Sequence, residues 1–255
     1  MIRKLQKSAG RRGPKSPKLA FWLQRASLPT CEIASYVGLD AVILDLEHGV
    51  FDPTDADEII AAAKNLGLTV YSRVAQSERM QIQAALDSGS DGVILPQLRD
   101  LAHARQATGY AKYPPLGTRG IGFSRTHKYG GAPADFTDRE NRRTLCFAMI
   151  ETPGALADAE AIAALRTVDG LFVGPADLSM TRGRGPVQGN AADRADWARA
   201  AEAARVKRKP WATVAHDPAA LAFTRTHGAA FVTVTDDFSA LQDGFRSALT
   251  TAGRR

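Results

Sequence analysis

The sequence predicts an α/β fold, a closed (β/α)8 TIM barrel, on three observations. Its 255 residues match the ~250 that one such barrel needs. Eight short apolar runs recur along the chain. Between several of them lie segments whose apolar residues repeat at three- and four-residue steps and close on a glycine, the mark of a helix with a C-terminal stop.

The runs are "LAFWL" (19–23), "AVILDL" (41–46), "LTVYSRV" (68–74), "DGVILP" (91–96), "LCFAMIE" (145–151), "GLFVGP" (170–175), "PWATVA" (210–215) and "AAFVTVT" (229–235). "DADEIIAAAKNLG" and "ERMQIQAALDSG" are helical patterns between them. Strand alternating with helix implies a parallel sheet, and eight units in one chain of this length favour closure over an open sheet. Residues 97–144 form the one long connection, rich in Gly, Pro, basic and aromatic residues ("KYPPLGTRGIGFSRTHKYGGAP"). A loop of that length calls for a function, and leaving the end of the fourth strand it is expected at the barrel mouth as a lid or subunit contact.

Residues 1–17 are expected to be a flexible basic tail and 18–255 a single barrel domain. The first 18 residues carry seven Arg or Lys and no acid, while the rest of the chain is close to neutral, against a total of +6. Nucleic-acid binding is not expected, because no zinc-finger, helix-turn-helix, KH or RRM pattern accompanies that charge. The tail lacks the apolar stretch of a secretory signal, and no run is long enough to span a bilayer. Cys31 and Cys146 supply neither a disulfide framework nor a thiolate metal cluster. A cytoplasmic protein is the expectation.

Barrel strands deliver their C-terminal residues to the active-site mouth. Those ends carry Asp45, Glu47 and His48 after the second strand, Arg73 after the third, Glu151 after the fifth and Asp177 just beyond the sixth. Neighbouring carboxylates repel unless a proton or a cation lies between them, and oxygen ligands suit Mg²⁺ or Mn²⁺. A capping Asp177 and a salt-bridged Glu151 fit the same spacing. His48 is the candidate for proton transfer, since imidazole titrates nearest neutrality. Arg73 offers a fork for a carboxylate or enolate, and "GPADLS" (174–179) offers backbone amides at a helix start. Together these describe a site for a 2-oxo acid. A divalent ion there would chelate the carboxylate and keto oxygens and stabilise an enolate, with no need for a Schiff-base lysine; none of the eight runs contains Lys.

The stretches "AVILDLEHGVFD", "SRV", "DGVILPQL", "KYPPLGTRGIG", "MIETPGALADAEAIAALRTVDGLFVGPADLS" and "HGAAFVTVTDDFSAL" resemble, in this order, the HpcH/HpaI aldolase family over roughly residues 18 to 250. The resemblance implies a phosphoenolpyruvate/pyruvate-type barrel and a metal-dependent class II aldolase that reversibly cleaves a 4-hydroxy-2-oxo acid to pyruvate, or a related 2-oxo acid, and an aldehyde. It implies one divalent ion per subunit, Mg²⁺ or Mn²⁺ ahead of Co²⁺ or Zn²⁺, on Glu151 and Asp177. Arg73 would bind pyruvate, His48 would be catalytic, Asp87 would orient His48, Ala176 and Asp177 would bind the substrate carboxylate, and Trp22 would line the site. Homohexamers that exchange C-terminal helices are also implied. The same superfamily holds acyl-CoA-type lyases acting on citryl-CoA or malyl-CoA thioesters, which is the alternative reading. Met149 stands where many of these aldolases have Gln, and "LPQL" and "FSRTH" are less typical versions, which bears on the choice of aldehyde.

Overall fold

The computed structural model describes residues 16–254; of the expected 1–17 tail, residues 1–15 lie outside the described residues. Eight strands close a parallel barrel in sequence order: β1 (Lys18–Leu23), β2 (Ala41–Asp45), β3 (Thr69–Arg73), β4 (Gly92–Leu95), β5 (Leu145–Ile150), β6 (Gly170–Val173), β7 (Trp211–Val214) and β8 (Phe231–Asp236). β1 pairs in register with β2 on one side and, across one irregularity at Ala20/Phe21, with β8 on the other, so no sheet edge is left open. The lysine-free expectation needs one amendment, since β1 begins at Lys18. That residue sits at the end of the barrel opposite the mouth.

Alternation along the strands sorts their side chains into two cores. Ala20, Trp22, Ile43, Tyr71, Ile94, Phe147, Met149, Phe172, Ala212 and Phe231 turn inward and fill the barrel. Aromatic rings dominate that filling: Tyr71 stacks on Phe231 at 4.8 Å, and Phe147 meets both edge-on at 5.6 and 5.4 Å. Their neighbours, such as Phe21, Leu23, Val42 and Leu44, face outward to the helical layer.

The helices are α1 (Leu28–Val37), α2 (Pro53–Asn65), α3 (Arg79–Asp87), α4 (Leu101–Gly109), α5 (Phe136–Arg143), α6 (Pro153–Ala157), α7 (Ala159–Ala164), α8 (Pro175–Thr181), α9 (Ala191–Val206), α10 (Pro218–Thr226) and α11 (Asp237–Thr251). Most begin on a short polar side chain that accepts a first-turn N–H: Ser27, Asp52, Asp100, Thr152, Asn190, Asp217 and Asp236 all do so. α11 differs from the others in what it covers. Phe238, Leu241, Phe245 and Leu249 recur along one stripe and remain 42–67% exposed. Among the described residues, no helix is long and apolar enough to cross a membrane.

The long connection is not at the mouth, contrary to the expectation from sequence. α4 follows β4 after the short 96–100 turn and returns the chain to the opposite end, so the Gly- and Pro-rich stretch starts there. α4 escapes a pattern search because Arg, His and Gln break up its apolar positions. Asp100 nevertheless starts it, accepting the His103 N–H at 2.8 Å. The stretch then runs along the outside of the helical layer. Arg79 of α3 donates to the Thr118 carbonyl, the Gly120 N–H donates to Gln83 Oε1 at 2.8 Å, Arg119 pairs with Asp87, and Arg125 pairs with Asp57 of α2.

Because Phe231 touches Tyr71, Phe147 and Phe172 at once, Phe231→Ala should cost about 3–5 kcal/mol. Urea unfolding measures this, and a loss below about 1 kcal/mol would mean that the interior repacks around the gap.

Candidate active site

The mouth is built from a closed turn after β2. Asp45, buried at the strand end, accepts the N–H groups of Glu47 and His48 through Oδ1 at 3.2 and 3.1 Å. Gly49 completes the turn by donating to the Asp45 carbonyl at 2.9 Å. A Cβ at Gly49 would lie 2.2 Å from that carbonyl oxygen, so the position requires glycine. Leu46 packs on the outer core, Asp45 and Glu47 turn to Arg73, and His48 is exposed.

Arg73, at the end of β3, is gripped by these carboxylates. Its Nε and Nη2 fork onto Asp45 at 3.0 and 2.6 Å, and Nε also lies 3.3 Å from Glu47 Oε2. Its guanidinium carbon sits 4.6 Å over the Trp22 ring, which meets Phe172 edge-on. The fork expected to face a substrate is thus taken by Asp45. Nη1 is the nitrogen left for a ligand. Asp45 and Glu47 were in view in the sequence, but nothing there showed that they anchor the arginine.

Glu151 follows β5 and is 0% exposed. Its Oε1 accepts the Gln97 N–H at 2.6 Å, from a residue with a left-handed backbone (φ 52°) that the sequence did not mark. Oε2 is buried without a partner, as is Glu47 Oε2 in hydrogen-bonding terms. Gly174 makes room for this carboxylate: a Cβ there would lie 2.6 Å from Oε2 and 2.7 Å from the Met149 methyl. Met149, two residues back along β5, therefore lies beside Glu151 as a thioether that donates no hydrogen bond. Pro175 starts α8 next, and the Ala176 and Asp177 N–H groups in its first turn have no partner within the helix. The Asp177 carboxylate stands close enough to raise the pKa of both Glu47 and Glu151.

Burial is the main reason that Glu151 is pushed up to about 7, with the charges of Glu47 and Asp177 adding to it and the Gln97 bond and Arg73 opposing. Glu47 is raised for the same leading reason. Among the described residues, no group of three or more His, Cys, Asp or Glu is arranged to hold a metal ion. Protein ligation here rests on two carboxylates. The fit comes from Glu151 Oε2, a buried carboxyl oxygen with no hydrogen bond, beside a second carboxylate and in a cradle kept open by glycine. A divalent cation bound by Glu151 and Asp177 would satisfy it, with water and substrate oxygens as further ligands.

His48 stands at the rim with its side chain 63% exposed and Nε2 3.9 Å from Glu47 Oε2. The structure does not bring Asp87 to it within one chain. Asp87 ends α3, where the chain is about to enter β4, and this is the end of the barrel opposite the mouth. Its carboxylate pairs with Arg119 at 2.5 Å, and no hydrogen bond or ion pair links it to His48 among the described residues. Spacing along the sequence carried no signal of which barrel end Asp87 occupies, because that depends on where α3 stops.

Residues 18–242 match the family described as HpcH/HpaI aldolase/citrate lyase. A 2-dehydro-3,6-dideoxy-6-sulfogluconate aldolase from Pseudomonas putida is 38% identical over 170 residues, covering 66% of each chain. A 4-hydroxy-2-oxovalerate aldolase from Novosphingobium aromaticivorans is 35% identical over 181 residues, covering 69% of this chain and 67% of that relative. The matches thus span about two thirds of these relatives. The crystal structure of an HpcH/HpaI aldolase from Desulfitobacterium hafniense DCB-2 superposes with a TM-score of 0.86 at 27% identity, covering 99% of this chain and 96% of that one.

The raised pKa of Glu151 makes a signed prediction. In the folded protein its proton is held up to about pH 7, against an ordinary value of 4.5. Its contribution to stability is therefore complete below the ordinary value and is lost as pH rises through 7. Glu151→Gln should accordingly gain on wild type in chelator, by up to about 3 kcal/mol as the pH is raised from about 5 to about 8. Unfolding curves across that range decide it, and a difference independent of pH would contradict the assigned burial.

Proposed function

The chain belongs to the HpcH/HpaI aldolase/citrate lyase family, and from that premise we propose that it is a carbon–carbon lyase, a divalent-metal-dependent aldolase that reversibly cleaves a 4-hydroxy-2-oxo acid to pyruvate, or a related 2-oxo acid, and an aldehyde. The observation that carries this reading is the unpartnered, buried Oε2 of Glu151, beside Asp177 and across the mouth from a single clamped arginine. Aldolase relatives with 2-oxo acid chemistry in their names support the substrate class.

In this reading Glu151 and Asp177 hold Mg²⁺ or Mn²⁺, which when bound supplies positive charge against the charge that develops on the 2-oxo acid as the C3–C4 bond breaks. The Ala176 and Asp177 N–H groups bind the substrate carboxylate. Arg73 directs Nη1 at the oxygen on C2, and the Asp45 fork and the Trp22 face keep it from swinging away. Trp22, Phe172 and Met149 close the floor against water. His48 Nε2 takes the proton from the C4 hydroxyl; the C3–C4 bonding pair passes into the enolate as the aldehyde leaves; and the His48 imidazolium returns the proton to C3, which regenerates the neutral imidazole. Asp87 orients that imidazole from a neighbouring copy, since its own His48 lies at the other end of the barrel. A cytoplasmic homohexamer is the proposed assembly, with α11 exchanged between subunits to cover its apolar stripe.

The direct test is pyruvate release from a panel of 4-hydroxy-2-oxo acids by chelated protein, with Mg²⁺, Mn²⁺, Co²⁺ or Zn²⁺ added back singly. Glu151→Gln and Asp177→Asn should abolish the metal-dependent release while the circular dichroism spectrum stays native. Full release by either variant in chelator would refute metal dependence.

Arg73→Lys keeps the charge but loses the two-nitrogen grip on Asp45, so it should lower kcat/KM at least tenfold, about 1.4 kcal/mol. Wild-type kinetics in that variant would make the Arg73–Asp45 fork purely structural.

A further inference from the structure

Arg119 is the most unusual cation outside the mouth. Its side chain is 0% exposed, yet only Nη2 has a hydrogen-bond partner, Asp87 Oδ1 at 2.5 Å. Nε and Nη1 are buried with none. Burying a guanidinium on one bond costs stability, and an apolar side chain would serve a purely structural position better. The residue is nevertheless held firmly. Its guanidinium lies 4.6 Å over the Tyr113 ring, and its N–H donates to the Lys112 carbonyl at 2.8 Å. Tyr113 is pinned in turn by two bonds to Asn141, and buried Lys112 is tied to the Asn141 and Thr144 carbonyls and to Asp169. A chain of contacts thus runs from the base of the barrel to one oxygen of Asp87. Among the described residues the other oxygen, Oδ2, has no hydrogen-bond or ion-pair partner, and the side chain is 29% exposed.

We infer that Arg119 is a positioning residue for the proposed reaction: by seizing Oδ1 of Asp87 it presents Oδ2 outward, to the imidazole of His48 in a neighbouring copy of the chain. The inference rests on the reading of His48 and Asp87 given above. Arg119 touches no substrate and acts only through Asp87. The flanking Ile121 and Phe123 are exposed on the same segment, which suits a surface that meets another copy.

The test uses the full-length, metal-loaded protein and follows exchange of pyruvate methyl protons with solvent by NMR, without aldehyde. Arg119→Lys should lower the exchange kcat roughly tenfold, with KM for pyruvate unchanged. In a His48→Ala background it should cost nothing further, because both changes break one relay; independent losses that add would show a merely structural role. Tyr113→Leu removes the stacking but leaves the Asp87 bond, and should give a smaller defect of the same kind should Arg119→Lys fold poorly. Oligomers co-assembled from equal amounts of His48→Ala and Asp87→Asn chains should exceed either parent, since about a quarter of their contacts reunite an intact His48 with an intact Asp87 by random mixing. Failure of that mixture would refute the contact between copies. Restored activity in it, with Arg119→Lys and Tyr113→Leu both at wild-type rates, would overturn the role of Arg119 alone. No exchange by the wild type would remove the aldolase reading itself, and this inference with it.

Discussion

Asp45, Glu47, Glu151 and Asp177 converge at the barrel mouth around a single guanidinium, and the mouth holds its shape because Asp45 takes both near nitrogens of Arg73. Charge complementarity there is deliberately incomplete. One arginine offsets one carboxylate well and a second partly; the remainder is left to burial, protonation or a cation. The fork also places two strands: Asp45 and Arg73 face each other in the β2–β3 register, so the ion pair and the ladder hold the same alignment. Trp22 on β1 caps the same guanidinium, which links a third strand to it.

This arrangement divides the molecule into a part built for stability and a part that spends it. The aromatic interior and the two outer apolar clusters are buried from solvent. Directly above them sit Glu151 Oε2 and Glu47 Oε2, buried and unbonded. Each such group costs about 1–3 kcal/mol, a loss that the core below offsets. Gly174 belongs to the same logic: a methyl group there would fill the space and displace the carboxylate. Two unsatisfied carboxylate oxygens at neighbouring points of the mouth, after β2 and β5, mark a place where binding has to supply what folding leaves out.

Legibility from sequence followed the range of the forces involved. The eight strands were readable because alternation and apolar runs are local, and the strand-end placement of Arg73, Glu151 and Asp177 followed from them. Beyond Asp45 the strand gives way to a turn, in which Glu47 reaches Arg73 and His48 Nε2 lies 3.9 Å from Glu47 Oε2. What could not be read depended on partners distant in sequence. That Arg73 spends its fork on Asp45 is a β2–β3 fact. That Gln97 bonds Glu151 depends on a left-handed residue with no glycine to announce it. The misplaced long connection came from one polar helix, α4; with it unseen, the Gly- and Pro-rich stretch that follows it was assigned to the wrong end of the barrel.

That error bears on how the site is completed. A strand of four or five residues spans about 15 Å, and helices return each chain segment to the far end, so residues before a strand never meet residues after one in the same barrel unless a loop crosses the whole layer. The segment carrying Arg119 does not cross it; it lies along α2 and α3 and ends in bonds to Asp57, Gln83 and Asp87. Its polar contacts face inward, while Ile121, Phe123 and Tyr129 face solvent. α11 shows the same division, with Asp236 and Asp237 anchored and four apolar residues uncovered. Two separate elements therefore leave apolar surface unused on a chain whose mouth holds an exposed histidine that, among the described residues, has only the Glu47 carboxylate, at 3.9 Å, as an ionic neighbour. In the proposed assembly, a second barrel set base-to-mouth against the first would cover apolar surface and bring a carboxylate to the imidazole in one step, which a longer loop on a single chain would have to achieve by ordering many residues against their conformational entropy.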